Sequence, residues 1–244
     1  MIPPRSVADV LDLVTADPGR PRLTWYGGDG ERVELSGAVL ANWVAKTTNL
    51  LVEELDVEPG VRVGLDLPPH WRTAVWALAA WRSGAEVALG GAAGDADVVV
   101  TDAPGAHAAA RQLVAVSLPA LARRFDGDLP DGAVDAAGAV MTYGDVIGWA
   151  PVTDPSATAL DLPGRPPVPH ADLLRWAGAA ASPGRVVVGC GESDEDVAAW
   201  LQALLGVLAA DGSVVALAAP MARELAADPD RRARLLASER VTAG

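Results

Sequence analysis

The residues best placed by type and spacing to do chemistry lie in the stretch 154–174, DPSATALDLPGRPPVPHADLL, and above all at Gly164, Arg165 and His170. A loop that cradles phosphate needs glycine, so that the backbone can approach the anion, and Ser, Thr or Lys to complete the contacts. This stretch keeps the outline of such a loop. Gly164 supplies backbone freedom, Arg165 a cation, and His170 opens the next helix, where backbone N–H groups favour negative charge. The small hydroxyl residues are missing, however, and Pro167 stands where a lysine is expected. Proline has no backbone N–H to donate. Gly164, Arg165 and His170 are therefore the candidate anion-binding positions, at a degenerate site. The alternatives are an ordinary surface loop and a helix-capping histidine. The Pro-rich setting places both Arg165 and His170 in an exposed loop.

Other candidates are weaker. Val186 to Val188 lead into Gly189-Cys190-Gly191, a strand followed by Gly-x-Gly, which could serve a nucleotide. Glu192, Asp194, Glu195 and Asp196 crowd the start of the next helix. They suit the helix dipole and would repel a phosphate. Cys190 is the single cysteine, which excludes an internal disulfide and a cysteine-based zinc cluster. Beside a core strand it reads as a small buried residue rather than a nucleophile. His70, His107 and His170 are too widely spaced to suggest a metal site, and none is expected. Trp71, Trp76 and Trp81 could wall an apolar pocket, but a spacing of five residues does not keep them on one helix face. They read as packing residues.

The elements that must position these residues alternate. A capped helix begins after Ser6, a hairpin signal (Gly27, Gly28, Asp29, Gly30) follows, and a long helix spans 36–55, with Asn42, Lys46, Asn49 and Glu53 outward. Strands are expected at 61–67, 86–89, 97–101 and 113–118, and helices at 71–82, 105–111 and 119–125. From 126 to 169 the pattern weakens, and only 139–143 looks strand-like. Regularity returns with helices at 170–181, 194–208 and 221–238 and strands at 185–189 and 213–218. The fold class is α/β, with layered mixed or mostly parallel sheets flanked by helices. The organisation is one domain, 1–244, with two sublobes, 1–125 and 170–244, joined by a Gly/Pro-rich connector.

Half of the 244 residues are hydrophobic, mean hydropathy is +0.22, and net charge is −13. Such a chain can bury a sizeable core, which argues against disorder. It should repel nucleic acid and anionic membranes unless a basic patch exists. The arginines are scattered along the sequence, and Lys46 is the only lysine. No apolar run is long enough for a membrane span and no signal-peptide core opens the chain, so the expected location is the cytoplasm.

A series of short matches carries a resemblance. Leu23-Thr24-Trp25, Val57 to Val63 (VEPGVRV), Leu67-Pro68-Pro69 and Arg82 to Val87 (RSGAEV) resemble, in order and spacing, the opening of the adenylate-forming enzymes, the AMP-binding family of acyl-CoA synthetases and peptide-synthetase adenylation domains. Asp154-Pro155 followed by Gly164, Pro167 and His170 is similar to that family's phosphate loop and the helix after it. Ser238 to Thr242 (SERVT) is similar to a segment before a later core strand. The chain also resembles a small actinobacterial group of short AMP-binding-like proteins. The resemblance implies the N-terminal part of an adenylate-forming large domain. It also implies that adenylation needs an intact phosphate loop, an aromatic-Gly-Thr-Glu motif, a ribose-binding Asp and a C-terminal-lobe lysine. The last three would lie past Gly244. The expected role is a binding or interaction module that is not a competent ligase on its own. The alternative is an acyl-CoA synthetase-like ligase with a reduced site, or one completed by a partner chain. No cofactor is expected, ATP and AMP being the ones the scaffold would admit. The expected partner is a second copy, because helix 221–238 and strand 213–218 would lack cover.

Overall fold

The computed structural model describes residues 3–28, 30–178 and 184–242. In chain order its strands are β1 (Pro21–Tyr26), β2 (Arg32–Ser36), β3 (Arg62–Asp66), β4 (Glu86–Leu89), β5 (Val98–Thr101), β6 (Gln112–Ala115), β7 (Val134–Asp135), β8 (Thr158–Asp161), β9 (Val168–Pro169), β10 (Arg185–Gly189) and β11 (Ser213–Leu217). Its helices are α1 (Val7–Thr15), α2 (Gly37–Glu53), α3 (Trp71–Arg82), α4 (Ala136–Thr142), α5 (Leu173–Ala177), α6 (Asp194–Ala209), α7 (Ala219–Ala227) and α8 (Pro229–Ser238). They form two compact units. The first gathers Met1–Ala41, Pro69–Trp71 and Leu174–Gly244, and the second Asn42–Pro68 and Arg72–Leu173. The units thus take turns along the chain, where the sequence suggests consecutive sublobes. Residues 126–169, expected as a connector, supply β7, α4, β8 and β9 to the second unit.

The first unit is built on a sheet of order β10-β11-β1-β2. β1 runs parallel to β11 and antiparallel to β2. Alternation sends Leu23 and Trp25 to one face with Val214 and Ala216, and Thr24 and Tyr26 to the other with Val215 and Leu217. Val215 and Leu217 pack on Met221 and Leu225 of α7, with Tyr26, Val187 and Leu235 at the margin. Ser6 caps α1 through a reciprocal capping box with Asp9, which puts Val7, Val10, Leu11 and Val14 into the core. Every residue of β11 is buried, and both its edges are paired. Strand 213–218, expected to lack cover, is therefore covered within the first unit. The expected single helix 221–238 is two, α7 and α8, because Pro229 cannot continue a helix and Asp228 caps the second.

The second unit holds a sheet of order β7-β6-β5-β3-β4-β8-β9, parallel except for the β8–β9 hairpin. β5 (VVVT) is buried throughout, as expected of a parallel strand covered on both faces. β3 carries Gly64 because a Cβ there would lie 2.0 Å from the Ala93 carbonyl oxygen. The switch point is β3, with β4 on one side and β5 on the other.

Local expectations fail where side chains claim the backbone. Residues 119–125 form no helix, since Arg72 takes the carbonyls of Leu118, Pro119 and Ala120. The strand-like stretch 139–143 falls in α4, which Asp135 caps through the Ala137 N–H. The helix at 105–111 shrinks to a 3-10 turn, Pro104–His107. At 170–181 a 3-10 turn, His170–Asp172, leads into α5, and residues 179–183 lie outside the described residues, as does Asp29 of the hairpin signal. Asn49, expected to face outward, is buried and pins a loop, donating to the carbonyls of Gly144 and Val146 and accepting from the Gly148 N–H. Among the described residues no helix is long and apolar enough to cross a membrane.

Candidate functional site

The stretch with the outline of a phosphate loop folds as a tight hairpin in the second unit. β8 runs parallel to β4, the chain turns through Pro163 to Pro167, and β9 returns antiparallel to β8. Gly164 sits at φ +72, a conformation that favours glycine, with open space where a Cβ would be. Few backbone donors remain. Pro163, Pro166 and Pro167 have none, the Arg165 N–H bonds the Leu162 carbonyl, and the His170 N–H bonds the Ala157 carbonyl. Ser156, ahead of β8, is held by Asp154 through both its Oγ and its N–H at 2.8 Å. Those bonds keep the Asp154 carboxyl below the usual range, the backbone bond first.

Arg165 and His170 are not brought together. Arg165 is exposed at the hairpin tip. His170 turns inward and is buried, with Nε2 3.2 Å from the carbonyl oxygen of Gly84. Burial lowers its pKa, against the opposing pull of the Gly84 and Ala85 backbone and Asp154. A neutral ring with Nε2–H donating to Gly84 satisfies this geometry. The expectation that both residues are exposed is corrected for His170, whose ring fastens the end of the hairpin to the turn after α3. Arg165→Ala should therefore change stability by less than about 0.5 kcal/mol, as at an ordinary surface position. His170→Ala should cost about 2 kcal/mol, because it strands a buried carbonyl. Urea denaturation of the two variants checks this, and equal effects would refute it.

The Gly-x-Gly turn after β10 is occupied by the protein itself. Asp196 Oδ2 accepts from the N–H groups of Glu192 (3.0 Å) and Ser193 (2.8 Å) and from the Ser193 hydroxyl (2.6 Å). A Cβ on Gly191 would lie 2.1 Å from the Asp196 carboxyl carbon. The carboxylate takes the donors a phosphate would use, and the Ser193 hydroxyl leads the bonds that hold its pKa down. Cys190 is buried, and burial, with Asp196 nearby, pushes its thiol up to about 12. It is a neutral packing residue, not a nucleophile.

Lys46 donates to the Tyr143 carbonyl and pairs with Asp145, both at 2.6 Å, and so anchors a loop. The Trp71, Trp76 and Trp81 side chains are buried, and Trp81 Nε1 donates to the Ala159 carbonyl of β8 at 2.8 Å. His70 stacks edge-on against Trp25 at 4.7 Å, while its carbonyl accepts from Trp200 Nε1. No group of three His, Cys, Asp or Glu among the described residues could hold a metal ion.

Sequence reasoning missed one constellation. At the carboxyl ends of β3 and β5, beside the switch point, His107 Nε2 lies 2.6 Å from Asp66 Oδ2, and the Thr101 hydroxyl donates to the same oxygen at 3.2 Å. Asp102 follows β5, and its pKa is raised by burial, then by Asp66. Such strand ends are where open α/β sheets bind ligands. The available signal was Val-Val-Val-Thr-Asp, an apolar strand ending in polar residues. Its partners, Asp66 and His107, are 41 residues apart.

No family model matches the sequence. A TIGR03089 family protein of Mycobacterium tuberculosis (strain ATCC 25618 / H37Rv) is 36% identical over 254 residues, covering 96% of this chain and 95% of that protein. Among solved structures, a putative long-chain-fatty-acid CoA ligase from Rhodopseudomonas palustris superposes with a TM-score of 0.69 at 19% identity, over 97% of this chain and 62% of the ligase. An acyl-CoA synthetase of Brucella canis gives 0.63 at 20% identity, over 86% and 46%. Acetoacetyl-CoA synthetase from Streptomyces lividans gives 0.65 at 17%, over 87% and 38%. The chain spans less than two thirds of each of these three enzymes. At such identities the likeness is one of fold, and the fold is part of that of the adenylate-forming enzymes.

Proposed function

The chain belongs to the TIGR03089 family, and from its donor-poor hairpin we propose that it is a binding module on an acyl-CoA synthetase-like fold, without adenylating activity of its own. The observation that carries this reading is the turn between β8 and β9. Phosphoryl and adenylyl transfer rest on positioned donors and cations that stabilise charge on the transferring phosphate. In this turn three prolines remove donors, two of the N–H groups around it are spent within the fold, and Arg165 points to solvent. The residue at the expected lysine position, Pro167, offers neither charge nor N–H. Lys46, the only lysine, is committed to Tyr143 and Asp145.

The expected result is pyrophosphate exchange at background across a panel of carboxylic acids. Restoring a lysine at position 167 is expected to leave it there, because the surrounding donors are still missing. Exchange above background by the unaltered chain would refute the proposal. It would favour a ligase with a reduced site, for which Asp66 and His107 at the switch point would be the residues to substitute next.

A further inference from the structure

Arginines scattered through the sequence gather in the first unit around an open depression of about 660 Å³. Its charged lining is Arg20, Arg32, Arg185 and Arg240 against Glu34 and Glu239. Four positive and two negative side chains leave a local +2, in a chain of net −13. Behind the rim Arg22 and Asp211 pair at 2.6 Å, so that layer adds no net charge.

The cluster is ordered from beneath. Glu239, with its side chain only 7% exposed, accepts from the Tyr26 hydroxyl, from Arg32 Nε at 3.0 Å and from Arg185 Nη2. Arg185 also donates to Thr24 Oγ1 at 2.8 Å, while its buried Nε has no partner among the described residues. Glu239 thus fixes two guanidinium groups, and Arg32 Nη2 also donates to Glu34 Oε2 at 2.6 Å, which leaves Arg32 its Nη1 donors out of the five N–H groups of a guanidinium. Arg20 reaches Asp211 at 3.5 Å and remains partly exposed. Arg240 makes no side-chain bond or ion pair among the described residues and sits at φ 52, just past α8, where the backbone favours glycine. The position holds an arginine on the rim of the depression instead.

We infer that this depression binds the phosphate group of a small metabolite, held by Arg20, Arg32 and Arg240, with Glu239 as the positioning residue behind Arg32 and Arg185. A doubly charged phosphate monoester matches the local +2, and a monocarboxylate would leave it half balanced. Guanidinium forks suit phosphate oxygens geometrically. The volume falls within the roughly 300–1,000 Å³ of small-molecule clefts, so there is room for the body of a metabolite beyond its phosphate. A nucleic acid is disfavoured, because the rest of the chain would repel a polyanion.

The test is isothermal titration of the full chain with inorganic phosphate, pyrophosphate and AMP at constant ionic strength, with acetate as control. Saturable binding of at least one phosphate probe is expected, and none of acetate. Arg20→Ala and Arg240→Ala should each weaken that binding by about tenfold, as for loss of a charge-assisted contact, with Tm unchanged. Arg165→Ala should bind as the unaltered chain does, which separates this site from the β8–β9 hairpin and keeps its outcome independent of the adenylation assay. Absence of saturable binding by all three phosphate probes overturns the inference. So does binding that survives both rim substitutions, or that is lost in Arg165→Ala.

Discussion

Glu239→Ala is expected to lower stability by about 3 kcal/mol, the scale for removing one partner of a buried ion pair. In a chain of this size that is a fall in Tm of about 6–12 °C. The carboxylate is shared by Tyr26, Arg32 and Arg185, and Arg185 is itself 13% exposed. Its loss leaves the Arg185 guanidinium with only Thr24 and Ser213 as side-chain acceptors among the described residues. Tyr26→Phe, which removes the donor to Glu239 and an acceptor 3.2 Å from Arg32 Nε but leaves the charges paired, should cost only about 1 kcal/mol. The pH dependence has a definite sign. Burial would raise the Glu239 pKa, but bonds from Tyr26, Arg185 and Arg32 outweigh it and hold the value below the ordinary 4.5. The stabilisation is therefore complete above 4.5 and is lost as pH falls through the lower folded-state value. Urea melts of wild type and Glu239→Ala should differ most at neutral pH and converge well below 4.5. A constant difference across that range would show that packing, not charge, carries the effect.

Trp81→Ala should cost about 3–5 kcal/mol, the range for deleting a buried tryptophan. Trp81 is 2% exposed, and its Nε1 holds the Ala159 carbonyl in the middle of β8. The substitution opens a cavity under the strand that sets the hairpin. Trp81→Phe separates the contributions. It keeps most of the ring but strands the Ala159 carbonyl, for about 1–2 kcal/mol. Urea denaturation with unchanged m-values would measure both. If Phe were as stable as Trp, the bond to Ala159 would contribute nothing and β8 would be held by its ladder alone.

The two predictions concern residues of opposite legibility. Trp81 could be read as buried packing from the sequence, because α3 is almost wholly apolar and its limits, 71–82, coincide with those observed. Glu239 could not. It lies in a charged stretch, SERVT, and only the fold brings to it Tyr26 and Arg32, more than 200 residues away.

What the sequence determined by itself was set by local physics. Period-2 and period-3.6 apolar patterns fix β3, α3, β4, β10, β11 and α6 to within a residue or two, since burial of one face selects the conformation. The α/β class follows from their alternation. The poverty of donors in the β8–β9 turn was also legible, because proline lacks a donor in any fold. The tertiary structure decided everything that depends on pairing across long separations. It joined β1 to β11 and so made one unit from the two ends of the chain. It turned His170 inward onto Gly84 while leaving Arg165 outside, filled the Gly-x-Gly turn with Asp196, and set His107 against Asp66. It also gathered scattered arginines into one depression inside an acidic chain. Charge and hydrogen bonding act over a few ångströms in space whatever the distance along the chain, and a linear pattern carries no record of which distant residues become neighbours.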